Sequence, residues 1–123
     1  MLPEKKQIFI VDDDKSVCRA LGVLLATYGF SVDTYSCAED FFSAVPSSAP
    51  GCLLLDIHMP GLDGWETLER IIKSGSRRPV IFISAERSER LNEKVLKGGA
   101  VGFLQKPFKD QALLDLIRVA FKK

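Results

Sequence analysis

The stretch Cys-Leu-Leu-Leu-Asp at positions 52–56 sets four apolar residues in a row directly before a carboxylate. A strand that is buried on both faces has such an unbroken apolar run, whereas a half-exposed strand alternates apolar and polar residues. Residues 7–11 and 80–83 are also short and almost wholly apolar. The three runs therefore predict the central strands of a parallel sheet.

Two further strands are predicted at the margins of that sheet. Phe30 to Tyr35 alternates apolar and polar side chains, and Val101 to Gln105 is similarly mixed. Edge strands of a helix-covered sheet are more exposed than central ones, so this mixture indicates edge positions.

Segments with the helical spacing of apolar residues separate the predicted strands. The first begins after Asp14, which is a suitable N-cap, and ends before Gly29. The third would place Leu68, Ile71 and Ile72 on one apolar face. The second, third and fourth helices are predicted at residues 36–45, 64–73 and 88–97, and the fifth from residue 110 to the end of the chain. The segment at 88–97 has the weakest apolar pattern of the five.

This alternation of strands and helices predicts an α/β fold. Right-handed crossovers and two edge strands fit a flavodoxin-like (βα)5 arrangement, doubly wound, with a five-stranded parallel sheet in the order 2-1-3-4-5. A chain of 123 residues, 46% of them hydrophobic, is the size of one compact domain. We therefore expect a single domain over residues 1–123.

Composition excludes several classes of function. The formal net charge is +1 and no basic run occurs, so we expect no direct contact of this domain with nucleic acid. The three cysteines are widely spaced without the pattern of a metal site, which favours reduced thiols. No apolar stretch approaches the roughly 18 residues needed to span a bilayer. A cytoplasmic domain without a membrane anchor is expected.

Polar residues follow the predicted strands at the same edge of the sheet. The first strand ends in Asp12 and Asp13, the third in Asp56, the fourth in Ser84, and the fifth in Lys106. Open α/β sheets bind their ligands outside the carboxyl ends of the strands, where the strand order reverses. The five side chains are therefore the candidate functional site.

The residue types at this edge favour phosphoryl transfer. Three carboxylates held together repel one another and are best neutralised by a small hard cation, with Mg²⁺ the first choice and Mn²⁺ the alternative. A carboxylate can attack phosphorus to form an aspartyl phosphate, while the cation and Lys106 stabilise the charge on the phosphoryl oxygens. Ser84 could donate a hydrogen bond to one of these oxygens. Asp14 is assigned to the helix cap and not to the metal site.

Four motifs together resemble the CheY-like receiver domains of two-component signalling. They are Val-Asp-Asp-Asp at 11–14, Leu-Asp-Ile-His-Met-Pro-Gly-Leu-Asp-Gly at 55–64, Ile-Ser-Ala at 83–85 and Lys-Pro-Phe at 106–108. The resemblance covers nearly the whole chain, with each motif at the end of the appropriate strand.

The resemblance implies a role for each site residue. Asp56 would be the phosphoacceptor, Asp12 and Asp13 the acidic pocket, and the backbone carbonyl of His58 a further metal ligand. Three positions would act as switch residues, one would form a cis-proline turn, and two side chains would tune dephosphorylation. These are Ser84, Phe103 and Lys106 as switch residues, Pro107 in the turn, and His58 and Glu86 as the tuning positions. Phe103 departs from the Tyr of many receivers and lacks its hydroxyl, which leaves packing as the means of switching.

The sequence at residues 52–61, 99–108 and 111–117 further resembles receivers of the FixJ type, which usually precede a LuxR-like helix-turn-helix domain. Residues 1–123 do not include such a domain. We therefore expect either a receiver excised from a transcription regulator or a stand-alone relay protein.

The resemblance also implies partners. A sensor histidine kinase or a phosphotransfer protein would phosphorylate Asp56, and the domain would catalyse only its own phosphorylation and dephosphorylation. The switch would act on the face formed by helix four, strand five and helix five, and FixJ-like relatives imply a homodimer there.

Three other classes of protein fit the sequence less well than a receiver domain. An aspartate-nucleophile phosphatase typically has a second Asp two residues after the nucleophile, where this chain has His58. A docking module that needs no phosphorylation usually lacks a residue such as Asp56 or Lys106. A nucleotide-binding protein would need a glycine-rich turn after the first strand, where this chain has aspartates.

Overall fold

A computed structural model describes residues 6–57, 64–76, 78–85 and 100–122. Strands and helices alternate along the described chain. The elements are β1 (Gln7–Val11), α1 (Lys15–Thr27), β2 (Ser31–Tyr35), α2 (Ala38–Ala44), β3 (Cys52–Asp56), α3 (Gly64–Lys73), β4 (Val80–Ser84), β5 (Gly102–Gln105) and α4 (Asp110–Lys122). The helix predicted at 88–97 falls outside the described residues, so α4 is the fifth of the predicted helices.

The sheet has the predicted topology. Its five strands are all parallel and run in the order β2-β1-β3-β4-β5, with β2 and β5 at the edges. Val11 pairs with Leu55 and Asp56 pairs with Ile83, so the carboxyl ends of the three central strands lie side by side. The doubly wound α/β prediction is confirmed.

The central strands are buried on both faces, as their apolar runs require. Side chains alternate between the two faces of a strand, so each strand contributes to two hydrophobic cores. One core, against α1 and α4, contains Ile8, Ile10, Leu21, Leu25, Leu54, Ile81, Ile83, Leu113 and Ile117. The other, against α2 and α3, contains Phe9, Val11, Phe41, Leu53, Leu55, Leu68, Ile71 and Phe82.

Helix α1 begins where the sequence predicts. The side chain of Asp14 accepts hydrogen bonds from the backbone N–H groups of Ser16 and Val17, at 2.9 and 3.3 Å. It thereby satisfies two of the donors that a helix leaves free in its first turn. Gly29 lies just past the end of the helix, at a φ of 91°. Both predicted ends of the helix are confirmed.

Two details of the helices differ from the sequence predictions. Helix α2 covers Ala38–Ala44 and is shorter than the predicted 36–45. Ile72 is 56% exposed instead of lying on the buried face of α3. Thr67 is buried together with Leu68 and Ile71, so the centre of the buried face lies between them and Ile72 is at its margin. Among the described helices, none is long and apolar enough to cross a membrane.

Candidate functional site

Three aspartates meet at the carboxyl ends of β1 and β3. Asp56 is the last residue of β3, and Asp12 and Asp13 directly follow the neighbouring strand β1. One carboxylate oxygen from each residue lies within 4.8 Å of the other two. Asp12 and Asp56 are buried, at 1% and 7% exposure, while Asp13 is exposed. The group is therefore anchored in the protein and open to solvent on one side.

Lys106 brings a positive charge to the same group. Its Nζ donates to Oδ2 of Asp12 at 2.9 Å and lies 3.6 Å from Oδ2 of Asp56. The backbone N–H of Lys106 donates to the carbonyl of Ser84 at 2.7 Å, and the peptide bond to Pro107 is cis. Burial alone lowers the pKa of Lys106, but the hydrogen bond and charge of Asp12 and the charge of Asp56 outweigh it and raise the pKa.

Asp12 is held by several contacts. Its Oδ1 accepts from the backbone N–H of Asp14 at 2.9 Å, and its own N–H donates to the carbonyl of Tyr35 at 3.1 Å. The thiol of Cys18 donates to the carbonyl of Asp12 at 3.3 Å. Burial raises the pKa of the Cys18 thiol, with a smaller contribution from Asp12, so the sulfur keeps its proton for this hydrogen bond.

The sequence did not single out Cys18 as a support of the site. A cysteine four residues after Asp14 lies one helical turn from it, but only the packing of α1 on the sheet brings the thiol to the carbonyl of Asp12. Asp14, in contrast, takes the role predicted for it, since its carboxylate caps α1 and also accepts from the hydroxyl of Ser16 at 2.6 Å. These hydrogen bonds lower the pKa of Asp14.

The predicted switch residues occupy neighbouring strands. Ser84 is the last residue of β4 and is fully buried. Phe103 pairs with Phe82 across β4 and β5, and its half-buried side chain packs against the core that includes Phe82. Trp65 is half-buried, with its ring 5.1 Å from that of Phe82. His58 and Glu86 lie outside the described residues.

The donor set fits a small divalent cation. Three carboxylates with a single ammonium group leave an excess of negative charge, and two of these carboxylates are buried, where an uncompensated charge is costly. Carboxylate oxygens are the protein ligands that hard cations prefer. Asp12, Asp13 and Asp56 are therefore the residues that could hold a metal ion.

Residues 8–118 match the family described as the response regulator receiver domain. The chain is 41% identical over 115 residues to response regulator protein TodT of Pseudomonas putida, an alignment that covers 94% of this chain and 51% of TodT. It is 36% identical over 119 residues to transcriptional regulatory protein FixJ of Bradyrhizobium diazoefficiens, covering 97% of this chain and 58% of FixJ. The chain thus spans about half the length of these curated relatives.

A solved structure agrees with the sequence comparisons. The response regulator StyR superposes with a TM-score of 0.89 at 39% sequence identity, over 97% of this chain and 60% of the StyR chain. The similarity therefore extends over the whole sheet and its helices.

Proposed function

Because the chain belongs to the response regulator receiver domain family, we propose that it accepts a phosphoryl group on Asp56 in a magnesium-dependent reaction. One observation carries the proposal. The buried carboxylate of Asp56 ends β3 within reach of two further aspartates and of the ammonium group of Lys106. This combination supplies a nucleophile, ligands for a cation and a second positive charge in one place.

The phosphoryl donor is a phosphohistidine on a sensor histidine kinase or a phosphotransfer protein. A carboxylate oxygen of Asp56 attacks phosphorus, the new O–P bond forms, and the P–N bond to the donor histidine breaks. The electron pair of that bond stays on the imidazole nitrogen. The domain catalyses only its own phosphorylation and the later hydrolysis of the acyl phosphate, with His58 and Glu86 as the proposed tuning positions.

Asp12, Asp13 and Asp56 would hold Mg²⁺, or Mn²⁺ in its place, with the backbone carbonyl of His58 as a further ligand. The bound cation would neutralise charge on the oxygens of the transferred phosphoryl group. The exposed position of Asp13 leaves the site open to an incoming phosphoryl group.

The ammonium group of Lys106 lies near two carboxylates, those of Asp12 and Asp56. Its Nζ lies closer to Asp12 than to Asp56, at 2.9 against 3.6 Å. Phosphorylation adds charge at Asp56, so we expect the ammonium group to move toward a phosphoryl oxygen. Ser84 follows Ile83, which pairs with Asp56, and its hydroxyl is the proposed donor to a second phosphoryl oxygen.

These movements would bias a switch at β5. An inward shift of Ser84 frees space that Phe103 on the neighbouring strand can fill, which alters the face that includes β5 and α4. This face would form a homodimer after phosphorylation. Relatives are named as transcriptional regulators, so we propose that residues 1–123 act as one cytoplasmic receiver domain that controls transcription through an output module, without touching nucleic acid itself.

Intact mass spectrometry after incubation with acetyl phosphate tests the proposal. We expect the mass of one phosphoryl group to be added in the presence of Mg²⁺ and not in the presence of a chelator. Asp56→Asn should take up none. Asp115→Asn, which removes an exposed carboxylate from α4, should behave as wild type. Equal uptake by Asp56→Asn would overturn the assignment of the phosphoacceptor.

A further inference from the structure

A second polar cavity lies at the opposite end of the sheet from Asp56. It has a volume of about 360 Å³ and is bounded by the loops that precede β3 and β4. Asp56 lies five residues after Gly51, which is at this cavity, and this corresponds to roughly 16 Å along β3 at about 3.3 Å per residue. The small or polar residues that line it, together with one cation, are Ser47, Ser48, Gly51, Gly75, Ser76 and Arg78.

Arg78 is the unusual member of this lining, since it is only 9% exposed. Its Nη2 donates to the carbonyl of Pro46 at 3.1 Å and to that of Ala49 at 2.7 Å. The guanidinium carbon lies 5.2 Å from the centre of the Phe9 ring and 5.1 Å from that of Phe41. The two carbonyls and two rings thus hold the group in one position.

These contacts leave much of the guanidinium unused. Nε is buried without a hydrogen-bond partner, and Nη1 forms no hydrogen bond to the described part of the protein. No carboxylate of the described residues forms an ion pair with Arg78. Burial lowers the pKa of Arg78, but an arginine side chain keeps its proton in proteins. Within the part of the chain that the structure describes, this buried cation therefore has no counter-ion, which is costly.

We propose that this cavity binds a small oxyanion of the phosphate class, with Arg78 as the charged ligand. Nη2 already donates to two carbonyls and Nε is buried, so the two N–H groups of Nη1 would donate to the phosphate oxygens. Ser76 accepts a hydrogen bond from the backbone N–H of Arg78 at 3.3 Å, which leaves its hydroxyl proton free to donate to the anion. Ser47 and Ser48 add two more hydroxyl groups to the lining.

The lining favours the bare ion or a small ester over a nucleotide. None of the described residues that line the cavity is aromatic, so no ring there would stack on a base. A bound anion would connect the loop after α2 with the loop after α3, and binding to the folded state alone would raise its stability. The anion is thus expected to act as a stabilising ligand that is independent of the aspartate site.

A titration with inorganic phosphate, monitored by two-dimensional amide NMR, tests the proposal. The buffer contains no Mg²⁺, and chloride keeps the ionic strength constant. We expect saturable shifts in the amide signals of residues 47–49, 51 and 75–78. Arg78→Met should lower the affinity about tenfold or more. Arg118→Met, which removes an exposed arginine from α4, should leave it unchanged. A parallel titration with adenosine monophosphate should give no tighter binding than phosphate.

Two further measurements keep the proposal falsifiable if Arg78→Met does not fold. Ser76→Ala retains the guanidinium and should weaken phosphate binding by about threefold. Phosphate should also raise the melting temperature of the wild type more than chloride does. Shifts that do not saturate, or an affinity that Ser76→Ala and Arg78→Met leave unchanged, would overturn the proposal.

Discussion

At the residue scale, Lys106 decides how three carboxylates can share one end of the sheet. Its side chain is 22% exposed and lies between the carboxylates of Asp12 and Asp56. Without a cation bound, this ammonium group is the main compensation for their charge, since a buried carboxylate is costly when it is alone. The same contacts raise its pKa above the ordinary value of 10.5.

Lys106→Met should destabilise the metal-free domain by roughly 2 to 3 kcal/mol near neutral pH, because it removes the ammonium group that lies between two buried carboxylates. The pKa of Lys106 is raised in the folded state, so its stabilisation is fully present below the unfolded pKa of 10.5. It is lost as pH rises through the folded pKa.

Urea unfolding of wild type and Lys106→Met at about pH 8 and above about pH 11 measures this effect. The difference in unfolding free energy should shrink at the higher pH. Lys109→Met removes an exposed lysine from the nearby loop and should change little at either pH. A difference that is independent of pH would contradict the proposed role of the ammonium charge.

The residues of the site were predictable because each lies at, or just after, the end of a predicted strand. The sequence places Asp12, Asp13, Asp56, Ser84 and Lys106 at strand ends, and parallel strands end at one edge. The support from Cys18 and the burial of Arg78 were not predictable in this way. Both depend on how α1 and the loop after α2 pack on the sheet, and an arginine in a loop is usually exposed.

At the scale of elements, the cap of α1 is tied to the site. Asp14 caps the helix with its side chain and donates its backbone N–H to Asp12. Asp14→Ala should cost about 1 kcal/mol of unfolding free energy through loss of the cap. Asp14→Ser keeps an oxygen for the cap and should restore most of this loss. Chemical denaturation measures both, and equal stability of the alanine and serine variants would count against the cap.

The loop before β3 depends on a glycine. Gly51 has a φ of 143°, and a Cβ added there would lie 2.7 Å from a ring carbon of Phe9 and 3.0 Å from the carbonyl oxygen of Gln7. Gly51→Ala should therefore destabilise the domain by about 2 kcal/mol or more. Gly75→Ala is the matched control, because its φ is also positive but nothing lies within 4 Å of the added Cβ. If thermal unfolding showed the same decrease in melting temperature for both variants, the steric argument would be contradicted.

Strand ends were less predictable than strand positions. The apolar runs at 52–55 and 80–83 stop one residue before the ends of β3 and β4, because Asp56 and Ser84 still pair with the neighbouring strands. Backbone hydrogen bonds hold these residues in the ladder, whatever their side chains are. The same limit applies to α2, whose first turn depends on the local chain path more than on side-chain hydropathy.

At the scale of the whole molecule, the two proposed sites lie at opposite ends of one sheet. The carboxyl ends of the strands carry the proposed phosphorylation site, and the amino ends of β3 and β4 carry the proposed anion site. The topology that separates them was predictable, because an alternating βα pattern with two mixed strands permits few arrangements. The proposed dimerisation is also a property of the whole molecule.

Sedimentation velocity with beryllium fluoride and Mg²⁺ tests the proposed homodimer. Beryllium fluoride mimics a phosphoryl group on a carboxylate, so the wild type should shift from monomer to dimer, while Asp56→Asn should remain a monomer. Glu69→Gln, which removes an exposed carboxylate from α3, outside the proposed dimer face, should follow the wild type. A wild type that remains monomeric in the presence of the mimic would exclude dimerisation by residues 1–123 alone.

The central claim is that Asp56 itself carries the phosphoryl group. The most direct measurement is reduction of the phosphorylated protein with borohydride, which converts an aspartyl phosphate to homoserine, followed by peptide mass spectrometry. We expect homoserine at position 56 and unmodified aspartate at positions 12 and 13. Homoserine at another aspartate, or none after Mg²⁺ and acetyl phosphate, would contradict it.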